Sequence, residues 1–314
     1  MDPVRLPVVP PTPLGVLPPG ALTCAAQVDS SFLPSAAQFG LSKHSHMTFL
    51  INPGALRKSV SLKISARTRS PDGLLLLLSD AKQMDFAVVK LAGGKVTLSA
   101  DLGKGPTSVT SPVSITDGLW HTVSAEVSRR SLALAVDGSK PGSASIRGNQ
   151  LDVDRRLYLG GLPHAHATRR INVSSSFQGC VRSVHLNGAM LDLTKPASRH
   201  NVTSCFTDDQ AGSYFDGSGH ALFRKPNTAL NLQVDGRSYI TPNPYPQSTS
   251  AETKNPVYLG GYPVGVKQNC LSITTRFRGC LKKIQLIKSH LSDTLDLSSA
   301  HFLSGVTPDS CPVG

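Results

Sequence analysis

The chain has 314 residues, an apolar fraction of 39% and a formal net charge of +12. That length sets a prior of two domains, and no apolar run approaches the ~18 residues of a membrane span. The basic balance points to anionic partners, and without a long polybasic tail it favours acidic polysaccharide over nucleic acid. No H-E-x-x-H, G-x-S-x-G or G-x-x-x-x-G-K-[ST] pattern occurs, and no E-x-D-x-E strand, so a binding protein is expected rather than an enzyme.

Residues 1–22 carry seven prolines and read as an extended, semi-rigid linker. Residues 23–205 read as one complete domain of short strands. Ser59-Val-Ser-Leu-Lys-Ile-Ser alternates polar and apolar residues, the pattern of a half-buried strand. Asp72-Gly73 turns the chain into five consecutive leucines, Leu74 to Leu78, a fully buried strand. Further strands follow at Phe86–Leu91, Lys95–Ala100, His121–Val127 and Leu132–Val136. Gly93-Gly94, Asp117-Gly118 and Asp137-Gly138 read as hairpin turns. Strands at roughly ten-residue spacing without a helical period predict an antiparallel sandwich. Trp120 is expected to pack into the core behind its Asp-Gly turn.

Residues 206–314 repeat the first domain in shortened form. The first copy runs AVDG…LDVDRRLYLGGLP…SFQGC and the second QVDG…NPVYLGGYP…RFRGC. In both, the Tyr of YLGG stands 22 residues ahead of the Cys of F-x-G-C, and such shared offsets mark an internal repeat. From Phe39 to Val136 the first copy spends 97 residues, whereas the second spends 19 from Phe215 to Val234. The second copy therefore lacks counterparts of the leucine strand, of Asp85-Phe86-Ala-Val-Val and of the Asp117–His121 turn. A sandwich without those strands exposes unpaired edges, so this half is expected to be destabilised or partly disordered, as a splice variant or an imperfect gene model would leave it. Lys282-Lys283 falls inside one of its predicted strands.

The six cysteines lack C-x-x-C spacing and do not suggest zinc. Four form repeat-matched pairs, Cys180–Cys205 and Cys280–Cys311; loops of 25 and 31 residues make each bridge worth on the order of 3–4 kcal/mol. Cys24 and Cys270 remain and are paired as an interdomain staple. Sequons at Asn172 and Asn201 agree with a secreted glycoprotein. The N-terminus lacks an apolar signal region, so the chain reads as the C-terminal piece of something longer.

In order, DGLLLL, MDFAVVKL, DGLWH, LAVDG, LYLGGLP, FQGC and a closing Cys resemble laminin G-like (LG) modules, fully over 25–205 and in part over 206–314. The Pro-rich spacer, the early Cys and the ending S-C-P-V-G resemble the fourth and fifth LG modules that close laminin α chains of the α1/α2 type. Agrin, perlecan and neurexin carry similar modules and rank lower.

That resemblance implies an all-β, lectin-like jelly roll whose rim holds a calcium ion with two acidic side chains and two backbone carbonyls. Asp85 matches the first acid and Leu102 the first carbonyl. The second acid falls within Leu151–Asp154: Asp154 as side-chain ligand with the Asp152 carbonyl is favoured, and the reverse register stays open. The second copy has Glu252-Thr-Lys-Asn255 at that place, so no calcium is expected there.

Arg129-Arg130, Arg155-Arg156 and Arg169-Arg170 lie in or near inter-strand loops, where guanidinium forks suit sulfates and carboxylates. The function implied is calcium-assisted binding of anionic glycans on dystroglycan-type receptors, of heparan sulfate and of sulfated lipids, in the extracellular matrix of a basement membrane. The alternative is a secreted carrier of an apolar ligand or a protein partner.

Overall fold

The computed structural model describes residues 32–163, 170–173, 175–223, 232–234, 237–239, 256–263, 275–288 and 291–313. Its first part forms β1 (Phe32–Phe39), β2 (His46–Leu50), β3 (Ser59–Arg67), β4 (Gly73–Ser79), β5 (Asp85–Ala92), β6 (Lys95–Leu102), β7 (Thr107–Ser114) and β8 (His121–Ser128). It continues through β9 (Ser131–Val136), β10 (Gly142–Ser145), β11 (Arg156–Leu159), β12 (Gly179–Leu186), β13 (Ala189–Met190), β14 (Ser198–His200) and β15 (Thr203–Phe206). One antiparallel sheet has the order β10-β9-β8-β3-β12-β1-β15, with β13 beside β12. The other has the order β14-β2-β11-β4-β5-β6-β7.

The sheets close face to face as the expected jelly-roll sandwich. Strand β3 buries Val60, Leu62 and Ile64 and exposes Ser59, Ser61 and Lys63, so its alternation puts one face inward. These side chains join Val123, Leu134 and Val181 of their own sheet and Met47, Val89 and Leu98 of the opposite one in a single core.

Leu74 to Leu78 of strand β4 can all be apolar because both faces of the strand are covered. The register against β5 shifts between Leu74 and Leu76. Leu75, Leu76 and Leu78 consequently belong to the sandwich core. Leu74 and Leu77 join Phe86, Val88, Tyr158, Leu162 and Ile171 on the outer side.

Of the three turns read as hairpins, Gly93-Gly94 joins the paired strands β5 and β6, and Asp137-Gly138 joins β9 and β10. Asp117-Gly118 is different. It lies between β7 and β8, which belong to opposite sheets, so it is a crossover and not a hairpin. Trp120 is also less central than expected. It is half-buried against the Cys180–Cys205 region, with the Arg67 and Arg182 guanidinium groups 4.9 and 4.1 Å from its ring centre.

The repeated motifs lock to one another by the same contact in both copies. Phe177 N–H donates to the Gly160 carbonyl at 2.7 Å, and Phe277 N–H to the Gly260 carbonyl at 2.8 Å. Gly160 and Gly260 have φ of +76° and +79°, and a side chain there would run into the rings of Phe39 and Phe215. The bridges Cys180–Cys205 and Cys280–Cys311 are formed, with Cα separations of 5.9 and 6.0 Å. Cys24 and Cys270 lie outside the described residues.

The second part contains β16 (Asp209–Gln210), β17 (Ser213–Phe223), β18 (Leu232–Val234), β19 (Arg237–Tyr239), β20 (Val257–Leu259), β21 (Arg278–Leu281), β22 (Gln285–Lys288), β23 (Leu291–Thr294), β24 (Phe302–Thr307) and β25 (Cys311–Pro312). Strand β17 combines the parts played by β1 and β2. Its first half pairs with β21 as β1 pairs with β12, and its second half pairs with β20 as β2 pairs with β11. Phe215, Phe223, Leu295, Leu297 and Val306 make a small core. Among the described residues nothing corresponds to β4, β5 or β8. The expectation of a destabilised half is not tested by this arrangement, and residues 224–231, 235–236, 240–255, 264–274, 289–290 and 314 lie outside those described. Lys282 and Lys283 are exposed and follow β21 instead of lying within a strand, because Lys283 takes a left-handed φ of +56° that interrupts the ladder.

Within the second part, β16 pairs with the C-terminal β25, and this short ladder meets the first part through Asp209. Arg69 places its guanidinium 3.1 Å from Asp209 Oδ1, and Arg67 lies 3.6 Å from Oδ2. Ser310 Oγ donates to the same carboxylate at 2.8 Å.

Candidate functional site

The first carboxylate of the site is positioned by a turn. Asp80, at the end of β4, accepts the Asp85 N–H at 3.1 Å and the Lys82 N–H at 3.3 Å, folding residues 80–84 back so that β5 starts at Asp85. Leu102 ends β6 directly opposite, as the cross-strand partner of Asp85. Asp101, almost wholly buried, accepts the N–H groups of Lys104 and Gly105 and so shapes the following turn.

The 148–154 segment runs across the ends of these strands. Gly148 bridges Leu102, Leu151 N–H donates to Arg57 O, and Asp154 N–H donates to Ser79 O at 3.0 Å. Leu151 and Val153 are buried, which leaves Asp152 and Asp154 exposed on the opposite side of the segment. Asp152 N–H donates to Asp85 Oδ2 at 2.9 Å, so residues 67 apart in the chain meet at one rim.

Acidic side chains crowd this rim. The Asp85 carboxyl is held above the usual carboxylate range, first by burial and then by the charges of Asp152, Asp80 and Asp101, against the opposing N–H of Asp152. A dipositive ion would relieve that repulsion. Among the described residues no group of three or more His, Cys, Asp or Glu is assembled for a metal. A hard cation here would therefore rely on two carboxylates supplemented by carbonyls, a donor set that suits calcium. The Asp152 carboxylate is already engaged, 3.0 Å from Arg57 Nε and 2.6 Å from Gln150 Nε2.

The arginines distribute around this centre. Arg155 and Arg156 are exposed and line an open groove with Leu50 and Asp154. Arg129, in the β8–β9 turn, lines a small recess with Arg57, Lys58, Leu102 and Gln150. Arg130 is exposed in the same turn. Arg170 reaches the rim from another side, 3.4 Å from Asp101 Oδ2 and 2.7 Å from Met84 Sδ. Arg169 lies outside the described residues, as do Glu252–Asn255 of the second copy. Asn172 and Asn201 are exposed, both with left-handed φ.

Arg57, Asp80, Met84 and Asp101 are part of this rim and were not legible as such. Only the fold brings Arg57 to Asp152.

The family model for the laminin G domain matches residues 66–192 and 215–292. Laminin subunit alpha-1 from Homo sapiens is 33% identical over 371 positions, covering 92% of this chain and 12% of the relative. The Mus musculus subunit is 33% identical over 390 positions, covering 98% of this chain and again 12% of the relative. This chain thus spans about an eighth of either relative. Each alignment is longer than the part of the chain it uses by about 80 positions, the size of the shortfall between the two copies. The solved mouse laminin alpha1 chain, domains LG4-5, superposes with a TM-score of 0.83 and 30% identity, covering 93% of this chain and all of that one. The motifs, the sandwich and these matches agree, and the chain belongs to the laminin G domain family as a laminin-α-like module pair.

Proposed function

We propose that the chain is an extracellular binding module that grips anionic glycans through a calcium ion on the rim of the first sandwich. The observation that carries this is the meeting of Asp85 with the 151–154 segment, opposite Leu102 and beside Arg155 and Arg156. Asp85 and Asp154 would supply carboxylates, and Leu102 and Asp152 carbonyls. The engagement of the Asp152 carboxylate by Arg57 and Gln150 favours Asp154 as the second acid. Bound calcium would offer open coordination to a ligand carboxylate or sulfate, while the guanidinium groups hold neighbouring charges.

Glycans of dystroglycan-type receptors, heparan sulfate and sulfated lipids share the chemistry this rim would take, and a basement membrane is where such ligands and laminin relatives meet. A carrier of apolar ligands gains no support from a sandwich interior filled by Leu76, Val89, Leu98 and Val181.

Calorimetric titration of calcium into the full chain tests the reading. One ion per chain is expected, with Asp85→Ala and Asp154→Asn each weakening it at least about tenfold, since calcium affinity follows ligand charge. Asp152→Asn, which keeps the carbonyl, should retain binding. Retention on heparin should fall in chelator. Equal retention with and without calcium would remove the metal from the mechanism.

A further inference from the structure

The sequence has four methionines, and three of them are among the described residues. Met47 is fully buried in the core, and Met190 is exposed at the far end of β12's hairpin with β13. Met84 combines exposure with a functional position. It is 48% exposed, it immediately precedes Asp85, and its sulfur lies 2.7 Å from Arg170 Nη1. The same guanidinium reaches buried Asp101 with Nη2. A thioether is a weak acceptor, so Met84 steadies Arg170 at the rim without fixing it there.

We propose that Met84 is an oxidation site through which peroxide weakens anion binding at this rim, with Arg170 as the group that responds. This rests on the glycan-binding reading above. A hydroperoxide transfers one oxygen atom to the sulfur: the O–O bond breaks, an S–O bond forms, sulfur loses two electrons and water or an alcohol leaves. The sulfoxide oxygen is a far stronger acceptor than the thioether, and its bond to a guanidinium is charge-assisted. Arg170 is then held between the sulfoxide and Asp101 with fewer N–H groups free for a sulfate. Among the described residues Met84 is about half exposed to a small oxidant, whereas Met47 is sealed in the core.

The test uses the full chain in calcium, with hydrogen peroxide as oxidant and heparin as probe. Peptide mass spectrometry should locate one added oxygen on Met84, and heparin affinity should fall roughly three- to tenfold, the worth of one such hydrogen bond. Comparing each protein before and after peroxide, Met84→Leu should lose the change and Met190→Leu should keep it. Arg170→Ala should bind heparin more weakly from the start and show no further drop. A second readout does not depend on glycan binding: freeing the sulfur in Arg170→Ala should speed oxidation of Met84. If the wild-type chain never binds heparin, the functional reading fails, and the oxidation rates still decide the Met84–Arg170 contact. An unchanged affinity after complete Met84 oxidation, or an unchanged rate in Arg170→Ala, overturns the proposal.

Discussion

His121 shows how one side chain can tie distant turns together. Its Nδ1 lies 2.7 Å from Asp137 Oδ2 and its Nε2 2.9 Å from Asp117 Oδ1, joining the sheet crossover to the β9–β10 turn. Partial burial works against its charged form, but the hydrogen bonds and charges of both carboxylates outweigh that and raise its pKa. Against burial, the Leu119 N–H and then His121 lower the pKa of Asp117, and His121 and then the Thr122 N–H lower that of Asp137. The linkage signs follow. The imidazole's contribution is complete below its unfolded pKa of about 6.5 and is lost as pH rises through the raised folded value. The carboxylates contribute above their unfolded range near 4, and that part is lost as pH falls through their lowered values. Denaturant unfolding at a series of pH values should therefore show a loss of stability on the alkaline side of pH 6.5 that His121→Ala lacks. The same slope in both proteins would show that the cluster is not its source.

Every residue of strand β4 is buried. Leu76 is wholly buried between the sheets, so Leu76→Ala should cost about 2–5 kcal/mol in chemical denaturation. A loss under about 1 kcal/mol would mean that the core collapses into the space or is looser than its burial implies. This strand was legible because five leucines in a row fit nothing else so well, and β3, β5, β6, β8 and β9 were legible from alternation and turns. Strands β7 and β10 were not. Both end a sheet, and β7 carries Pro112 while β10 is Gly-Ser-Ala-Ser, so neither shows the apolar period of a central strand. Asp117-Gly118 was misread for a related reason: a two-residue turn signal is local, and whether the next strand pairs with the last or crosses to the other sheet is decided by packing. The rim had the least local signal of all. Asp85 and Asp152 are 67 residues apart, and the resemblance supplied their connection before the fold did.

At the scale of the whole molecule, the two copies are joined by a polar contact with little water around it. The Asp209 side chain is only 4% exposed, accepts from Arg69 and Ser310 and lies 3.6 Å from the Arg67 guanidinium, while Arg69 also donates to the Asp309 carbonyl. Burial lowers the pKa of Arg67 and raises that of Asp309. Among the described residues, Arg67 Nε has no hydrogen-bond partner, so the contact is already imperfectly satisfied. Removing Asp209 would leave two guanidinium groups without their carboxylate, and breaking one partner of a buried pair costs about 3–5 kcal/mol. That loss belongs to the joint and not to either core. Asp209→Ala should therefore release β16 from β25 and open the joint to protease before the first sandwich unfolds. Limited proteolysis should cut near residues 207–212 in the variant while the first sandwich stays protected. Cleavage throughout the chain, with loss of the first sandwich at the same temperature, would instead make the joint part of the first domain's own stability.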